Sequence, residues 1–238
     1  SDINMFKKNK VNIKVAERIL RKASVNFFVS SALLKTANKI FGYKFNGYVS
    51  KNSILKDSIQ TFKKQKKIYD VCYIGNLLPI KGADRLIKIF HDLQSSTNKS
   101  LKIAVVGEGE CKKEMVLASK ELNINFTGSM PREKCLEILA SSKVAILPSR
   151  DEGLPLIAIE SIALKTPMIC TNVGGCQEII HKSWLVENNS DLINQFIKKI
   201  SAILLFGDSK YEFQNINFLD EVIAEDVKVM QSNLRDGN

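Results

Sequence analysis

In the segment Ser149-Arg150-Asp151-Glu152-Gly153-Leu154-Pro155-Leu156-Ile157-Ala158-Ile159-Glu160, the carboxylates of Glu152 and Glu160 stand at a spacing that suits ligand binding. Proline is at home in the first position of a helix, where no backbone N–H is required. Pro155 therefore predicts a helix start, with Glu152 in the loop before it and Glu160 inside it. On that reading Glu160 lies about 7 to 8 Å along the axis from Pro155, and its side chain leans back toward the helix start. Two acceptors so placed can hold hydroxyls at the two ends of an extended ligand, while the N–H groups of the helix start take an anion between them. Hydroxyl, diphosphate and hydroxyl, in that order, describe a nucleotide sugar. The plainer alternative makes Glu152 a partner for the helix dipole and Glu160 a solvated helix acid. Against it, Glu160 is flanked by Ile159 and Ile162, on a helix too apolar to lie simply on a surface.

Positioning these groups requires a scaffold, and the chain from Tyr69 onward supplies its pattern. Short apolar runs at 71–74, 101–106, 123–127, 144–147 and 168–171 read as strands. They alternate with amphipathic segments around 86–93, 111–122, 133–140, 155–166 and 192–205, with a short helical turn at 177–180. Parallel strands joined by crossover helices give this alternation. The expected fold is α/β, a doubly wound parallel Rossmann-like sheet of five or six strands. In such sheets ligands sit beyond the carboxyl ends of the strands, here residues 75–82, 107–110, 128–131, 149–155 and 172–175. Most of these turns are glycine-rich, as close backbone approach to a ligand requires. Lys81 sits at a helix start, where it opposes the dipole, so an anionic partner explains it better than solvent does. Val106-Gly107-Glu108-Gly109-Glu110 lacks the third glycine of a dinucleotide fingerprint and sets two acids beside the turn, which argues against a nicotinamide site.

The chain has 238 residues, 45% of them apolar and 25% charged, enough for a sizeable core. Its net charge of +10 is unevenly placed: residues 1–70 hold 16 basic and 4 acidic groups, and the remainder is close to neutral. The lysine runs Lys7-Lys8-Asn9-Lys10 and Lys63-Lys64-Gln65-Lys66-Lys67 have no interleaved aromatics and no nucleic-acid motif, so nucleic acid is not the expected partner. They read first as a solvated face and second as a surface for peripheral contact with anionic membrane lipid through the basic N-terminal part. No apolar run is long enough for a bilayer span, and five cysteines without a CxxC pair read as reduced thiols with no metal among them. A cytoplasmic protein, able to associate with a membrane, is expected. The first 68 residues repeat the α/β grammar on a smaller scale, with helices at 11–23 and 32–41 and strands at 25–29 and 48–49.

Several of these segments together resemble the retaining family-4 glycosyltransferases (glycosyl transferases group 1), which have the two-domain GT-B fold. They are Ile74-Gly75-Asn76-Leu77 with Lys81-Gly82, Val105-Val106-Gly107-Glu108-Gly109, Phe126-Thr127-Gly128 and Leu147-Pro148-Ser149. Glu152 and Glu160 follow as an E-x7-E pair, and Asn172-Val173-Gly174-Gly175 precedes Glu178. The resemblance runs from about Tyr73 to Val186, and more loosely back to Ser24. It implies that Lys81 contacts the diphosphate of a nucleotide-sugar donor, Glu152 the sugar hydroxyls and Glu160 the ribose hydroxyls. It further implies that the backbone of Gly153, Leu154, Pro155 and Leu156 meets the phosphates and that the stretch from Gly128 to Met130 meets the base. Gly75 and Asn76 open the diphosphate loop, and Gly107 gives a turn that leaves room for the nucleotide. The catalytic candidates are Glu152 and Lys81.

The implied donor is UDP- or GDP-linked, the acceptor a glycan or a lipid-linked sugar, with no metal or other cofactor. The implied organisation is a tail of the N-terminal acceptor domain with its linker (1–68), the donor-binding domain (69–205) and a C-terminal helical tail (206–238). Two departures stand out. Asn76 occupies a position where the family has Arg, leaving Arg85 and Arg150 as candidate replacements, and His181-Lys182-Ser183-Trp184 replaces a glycine-rich stretch. A non-catalytic nucleotide-sugar-binding module and a GT-B sugar-nucleotide epimerase are the rival readings.

Overall fold

The computed structural model describes residues 10–62, 65–209, 211 and 213–235. Lys7, Lys8 and Asn9 of the first basic run, and Lys63 and Lys64 of the second, lie outside the described residues. The strands are β1 (Asn26–Phe28), β2 (Gly47–Val49), β3 (Tyr69–Ile74), β4 (Lys102–Val106), β5 (Asn123–Gly128), β6 (Ser142–Leu147), β7 (Met168–Thr171) and β8 (Leu185–Val186). The helices are α1 (Lys10–Lys22), α2 (Ser31–Phe41), α3 (Asp57–Gln60), α4 (Ala83–Thr97), α5 (Lys112–Ala118), α6 (Arg132–Ala140), α7 (Leu156–Ala163), α8 (Leu192–Phe206) and α9 (Leu219–Arg235). Short 3₁₀ turns cover Pro79–Lys81, Gly174–Glu178 and Lys182–Trp184.

Strands β3 to β8 form one parallel sheet in the order β5-β4-β3-β6-β7-β8. The chain starts in the middle, builds outward to β5, then crosses back to β6 and builds the other way. The reversal falls between β3 and β6, and in open α/β sheets the crevice that takes a ligand lies outside the carboxyl ends of the strands at such a point; the loops leaving these two strands meet along it, Arg150 N–H donating to Ile80 O at 2.8 Å. Strand β6 shows why the sheet forms here. Val144 to Leu147 are all at most 3% exposed, the continuous apolar run of a strand covered on both faces. Tyr73, Leu86, Phe90, Ile103, Ile146 and Phe196 fill the core and are essentially inaccessible to solvent. Helix α4 packs against α8, and α6 against α7.

The first strands, β1 and β2, pair with each other in parallel. Phe28, Ala37, Phe41 and Phe45 give them a small core of their own, closed by Ile13, Ala16 and Leu20 of α1. Helix α9 returns to this unit. Leu219 N–H donates to Ile54 O at 3.1 Å, and the Ser50 hydroxyl donates to Asp226 Oδ2 at 2.6 Å. All five cysteines are free thiols. Among the described residues no helix is long and apolar enough to cross a membrane.

Candidate functional site

Lys81 ends the 3₁₀ turn that follows β3, and Glu152 lies in the loop that follows β6, so the two reach the crevice from opposite sides of the sheet reversal. They meet there. Lys81 Nζ is 2.8 Å from Glu152 Oε2, and the fully buried Ser149 hydroxyl donates to Glu152 Oε1 at 2.7 Å. Glu152 is 7% exposed, whereas the lysine side chain keeps a third of its surface in solvent. Both carboxylate oxygens are thus oriented, and the lysine side chain stays part-exposed. Beneath them Tyr73 donates its phenolic hydrogen to Asn76 O at 2.8 Å. Burial, reinforced by the Glu152 charge, pushes the Tyr73 phenol well above its ordinary range, so it stays a donor.

Pro155 stands one residue before the helix, with φ −70° and ψ 120°, and Leu156 is the first helical residue. The rise from the helix start to Glu160 is therefore about 6 Å, one residue less than the sequence suggests. Leu154 and Pro155 are buried, Gly153 is partly buried and Leu156 is exposed. Ala158, Ile159 and Ile162 are buried around Glu160, which is itself only 7% exposed. A solvated surface acid is excluded. Its partner is Arg132, the first residue of α6, whose Nε donates to Glu160 Oε1 at 2.8 Å. Burial pushes the Glu160 carboxyl above the usual carboxylate range, and the hydrogen bond and charge of Arg132 pull it part of the way back.

The two acids therefore belong to two ion pairs. One spans the sheet reversal, and the other ties α7 to the first residue of α6, just past the turn after β5. Gly128 ends that strand, and Met130 is partly buried, its carbonyl accepting from the Cys135 thiol at 3.7 Å. Sequence reasoning missed Ser149 as an orienting group and Arg132 altogether. Arg132 is separated from Glu160 by 28 residues and reads in isolation as an ordinary charged residue at a helix start.

Three other positions sharpen the picture. On the side of Gly107 where a Cβ would stand, the space is taken by protein: at φ +134° that atom would lie 2.0 Å from Gly75 O. The glycine is needed to bring the loops after β3 and β4 together, so Gly75 and Gly107 shape one wall of the crevice. Arg85 and Arg150, the candidates to replace an arginine at position 76, are both committed to protein. Arg150 grips Asp84 through two bonds of 2.6 and 2.8 Å and also donates to Pro79 O, which holds the Asp84 carboxyl below its ordinary range. Arg85 donates to Pro148 O at 3.0 Å and to Asn188 Oδ1 at 2.9 Å. Both guanidinium groups are bonded to protein here, Arg150 joining the loop after β6 to Pro79 and to Asp84 of α4, and Arg85 joining α4 to Pro148 and Asn188.

The loop carrying Glu152 is also braced from behind. Gly175 N–H donates to Gly153 O at 2.9 Å, and Asn52 donates to Leu154 O at 2.6 Å. At Gly174, φ is +52° and a Cβ would fall 1.7 Å from Glu152 O. Gly174→Ala should therefore shift the Glu152 backbone as well as strain its own. The expected result in a thermal melt is a Tm loss of at least 4 °C, from about 1 to 2 kcal/mol of left-handed strain plus the overlap. Gly42→Ala, at φ +59° and ψ 28° with nothing within 4 Å, should lose clearly less, because it meets the left-handed strain alone.

A family model described as "Glycosyl transferases group 1" matches residues 56–213. The putative teichuronic acid biosynthesis glycosyltransferase TuaC of Bacillus subtilis is 28% identical over 195 residues, covering 76% of this chain and 47% of that protein. Among solved structures, sucrose-phosphate synthase from Thermosynechococcus elongatus is similar with a TM-score of 0.77 at 17% identity, over 96% of this chain and 63% of that one. The pneumococcal O-GlcNAc transferase GtfA, solved with UDP and GlcNAc, gives 0.71 at 17% identity, over 94% of this chain and 47% of that one. These structural likenesses are at the level of the fold, which is GT-B. The chain spans about half the length of the curated relatives it matches.

Proposed function

The chain belongs to the family of glycosyl transferases group 1, and on that premise we propose that it is the donor-binding half of a retaining, metal-independent glycosyltransferase. The transfer runs from a UDP- or GDP-linked sugar to a glycan or lipid-linked acceptor, and the sugar is a hexose or hexose derivative. The observation that carries this reading is the Lys81–Glu152 pair of 2.8 Å across the sheet reversal. A cation and an acceptor held at that crevice match the diphosphate and the sugar hydroxyls of one donor.

In this reading, Lys81 swings its ammonium from Glu152 to the diphosphate as the donor binds. Its compact charge, with the N–H groups at the start of α7 around Gly153 to Leu156, meets the negative charge that develops on the leaving group. Glu152, held by Ser149, accepts from the sugar hydroxyls and forms no covalent bond with the sugar. Glu160 accepts from the ribose hydroxyls, and the backbone from Gly128 to Met130 borders the base. The small N-terminal unit lies on the acceptor side, and its basic surface supplies any contact with anionic lipid. GtfA, whose structure contains UDP, lends support to UDP within the UDP/GDP pair.

The test uses the intact gene product, a panel of nucleotide sugars and an assay for released nucleotide. Selective stabilisation by one donor in a thermal shift picks the substrate, and acceptor-dependent release of free nucleotide is the expected result. Asn76, with Arg85 and Arg150 both engaged elsewhere, favours a second reading, a module that binds donor without transferring it. Binding with no nucleotide release under any acceptor would establish that alternative. Interconversion of free nucleotide sugars without acceptor would mark an epimerase instead.

A further inference from the structure

The Arg132–Glu160 pair is poorly explained by stability. Glu160 is 7% exposed on a helix whose inner residues Ala158, Ile159 and Ile162 are buried and apolar, and an apolar residue there would avoid the desolvation of a charge. Arg132 has nearly half of its side chain in solvent and stands at the first position of α6, where a cation opposes the helix dipole. Both members are therefore unfavourably placed as structural elements. Their meeting point lies just past Met130, at the end of the turn leaving β5. The bond uses only Nε of the guanidinium, so Arg132 fixes Oε1 while Oε2 is left to turn toward a ligand.

We propose that Arg132 is a positioning residue for the nucleotide: by engaging Glu160 Oε1 it presents the carboxylate to the paired hydroxyls of the ribose. This rests on the ribose reading of Glu160 given above. Without Arg132, burial acts on Glu160 unopposed and its proton is held to higher pH, so the acceptor is lost as pH falls. The other titratable group of α6 that interacts with Glu160 is Cys135. Burial holds its thiol above the ordinary range, so it does not titrate between pH 6 and 8.

The experiment is calorimetric titration of the intact protein with UDP and with GDP at pH 8 and pH 6, on a double-mutant cycle of Arg132→Gln and Glu160→Gln. The expected result is about a tenfold loss of affinity for Arg132→Gln at pH 8, with a steeper further loss at pH 6 than the unsubstituted protein shows. Arg132→Lys should recover most of the pH 8 affinity. In the Glu160→Gln background Arg132→Gln should have no further effect. An equal loss in both backgrounds would mean that Arg132 touches the nucleotide directly and would overturn the positioning role. A normal affinity and pH profile for Arg132→Gln, with Glu160→Gln impaired, would overturn it while leaving the ribose reading standing. Full affinity in Glu160→Gln would remove the ribose reading itself.

Discussion

Lys81→Met should lower turnover with a nucleotide-diphosphate sugar by about 100- to 1,000-fold, the range found when one preorganised donor to a developing anion is removed. The size of the effect follows from geometry. Asn76 offers no charge, Arg85 and Arg150 are bonded to Pro148, Asn188 and Asp84, and Lys81 is the cation that reaches the crevice beside Glu152. A second consequence is structural: Glu152, buried against Ser149, loses its counter-charge. Removing one partner of a fully buried pair costs about 3 to 5 kcal/mol. With a third of the lysine side chain in solvent, roughly 1 to 2 kcal/mol is the better expectation here. For a domain of this size that is a fall in Tm of about 2 to 8 °C. The double variant Lys81→Met/Glu152→Gln tests the structural part, since it should regain most of the thermal stability, while turnover is read from Lys81→Met alone at a temperature well below its melting transition. Recovery of activity in the double variant would show that Lys81 serves only the fold.

Glu160→Gln should have the opposite signature. Nucleotide affinity should fall about 10- to 100-fold, because hydrogen bonds to a charged acceptor contribute roughly 1.5 to 3 kcal/mol, whereas Tm should be unchanged or higher. Burial raises the Glu160 carboxyl above its ordinary 4.5. A carboxyl whose folded pKa exceeds its unfolded one favours the folded state while protonated and loses that contribution as pH rises through the folded value. Glutamine mimics the protonated form at every pH. The Tm advantage of Glu160→Gln should therefore vanish below about pH 4.5 and be present at pH 7, which melts across that range will read directly. A buried acid whose removal stabilises the protein while crippling binding has been retained for function.

Much of this was legible in the sequence because the relevant signals are local. The apolar run 144–147 placed β6, Pro155 placed the start of α7 to within one residue, and Ile159 and Ile162 beside Glu160 foretold a buried carboxylate. What could not be read depends on pairing across space. Strand β8 has two residues, Leu185 and Val186, too few for any periodicity, and exists because β7 offers it an edge. The helix expected over 111–122 stops at Ala118, where the Ser119 hydroxyl turns back to Val116 O and Leu122 N–H closes a turn on Ser119 O. Arg85 and Arg150 advertise positive charge near a phosphate site. Only the fold reveals that Asp84, Pro148 and Asn188 have claimed them. The docking of α9 on the first strands, through Ser50 and Asp226, joins residues 176 apart and leaves no local trace.

Calorimetry on Glu152→Ala and Glu160→Ala, each titrated with the free nucleotide and with the corresponding nucleotide sugar, bears most directly on whether one donor spans both ion pairs. Glu152→Ala should weaken the nucleotide sugar and spare the nucleotide, while Glu160→Ala should weaken both to a similar degree. Unchanged affinity for both ligands in both variants would contradict the assignment of this crevice as the donor site.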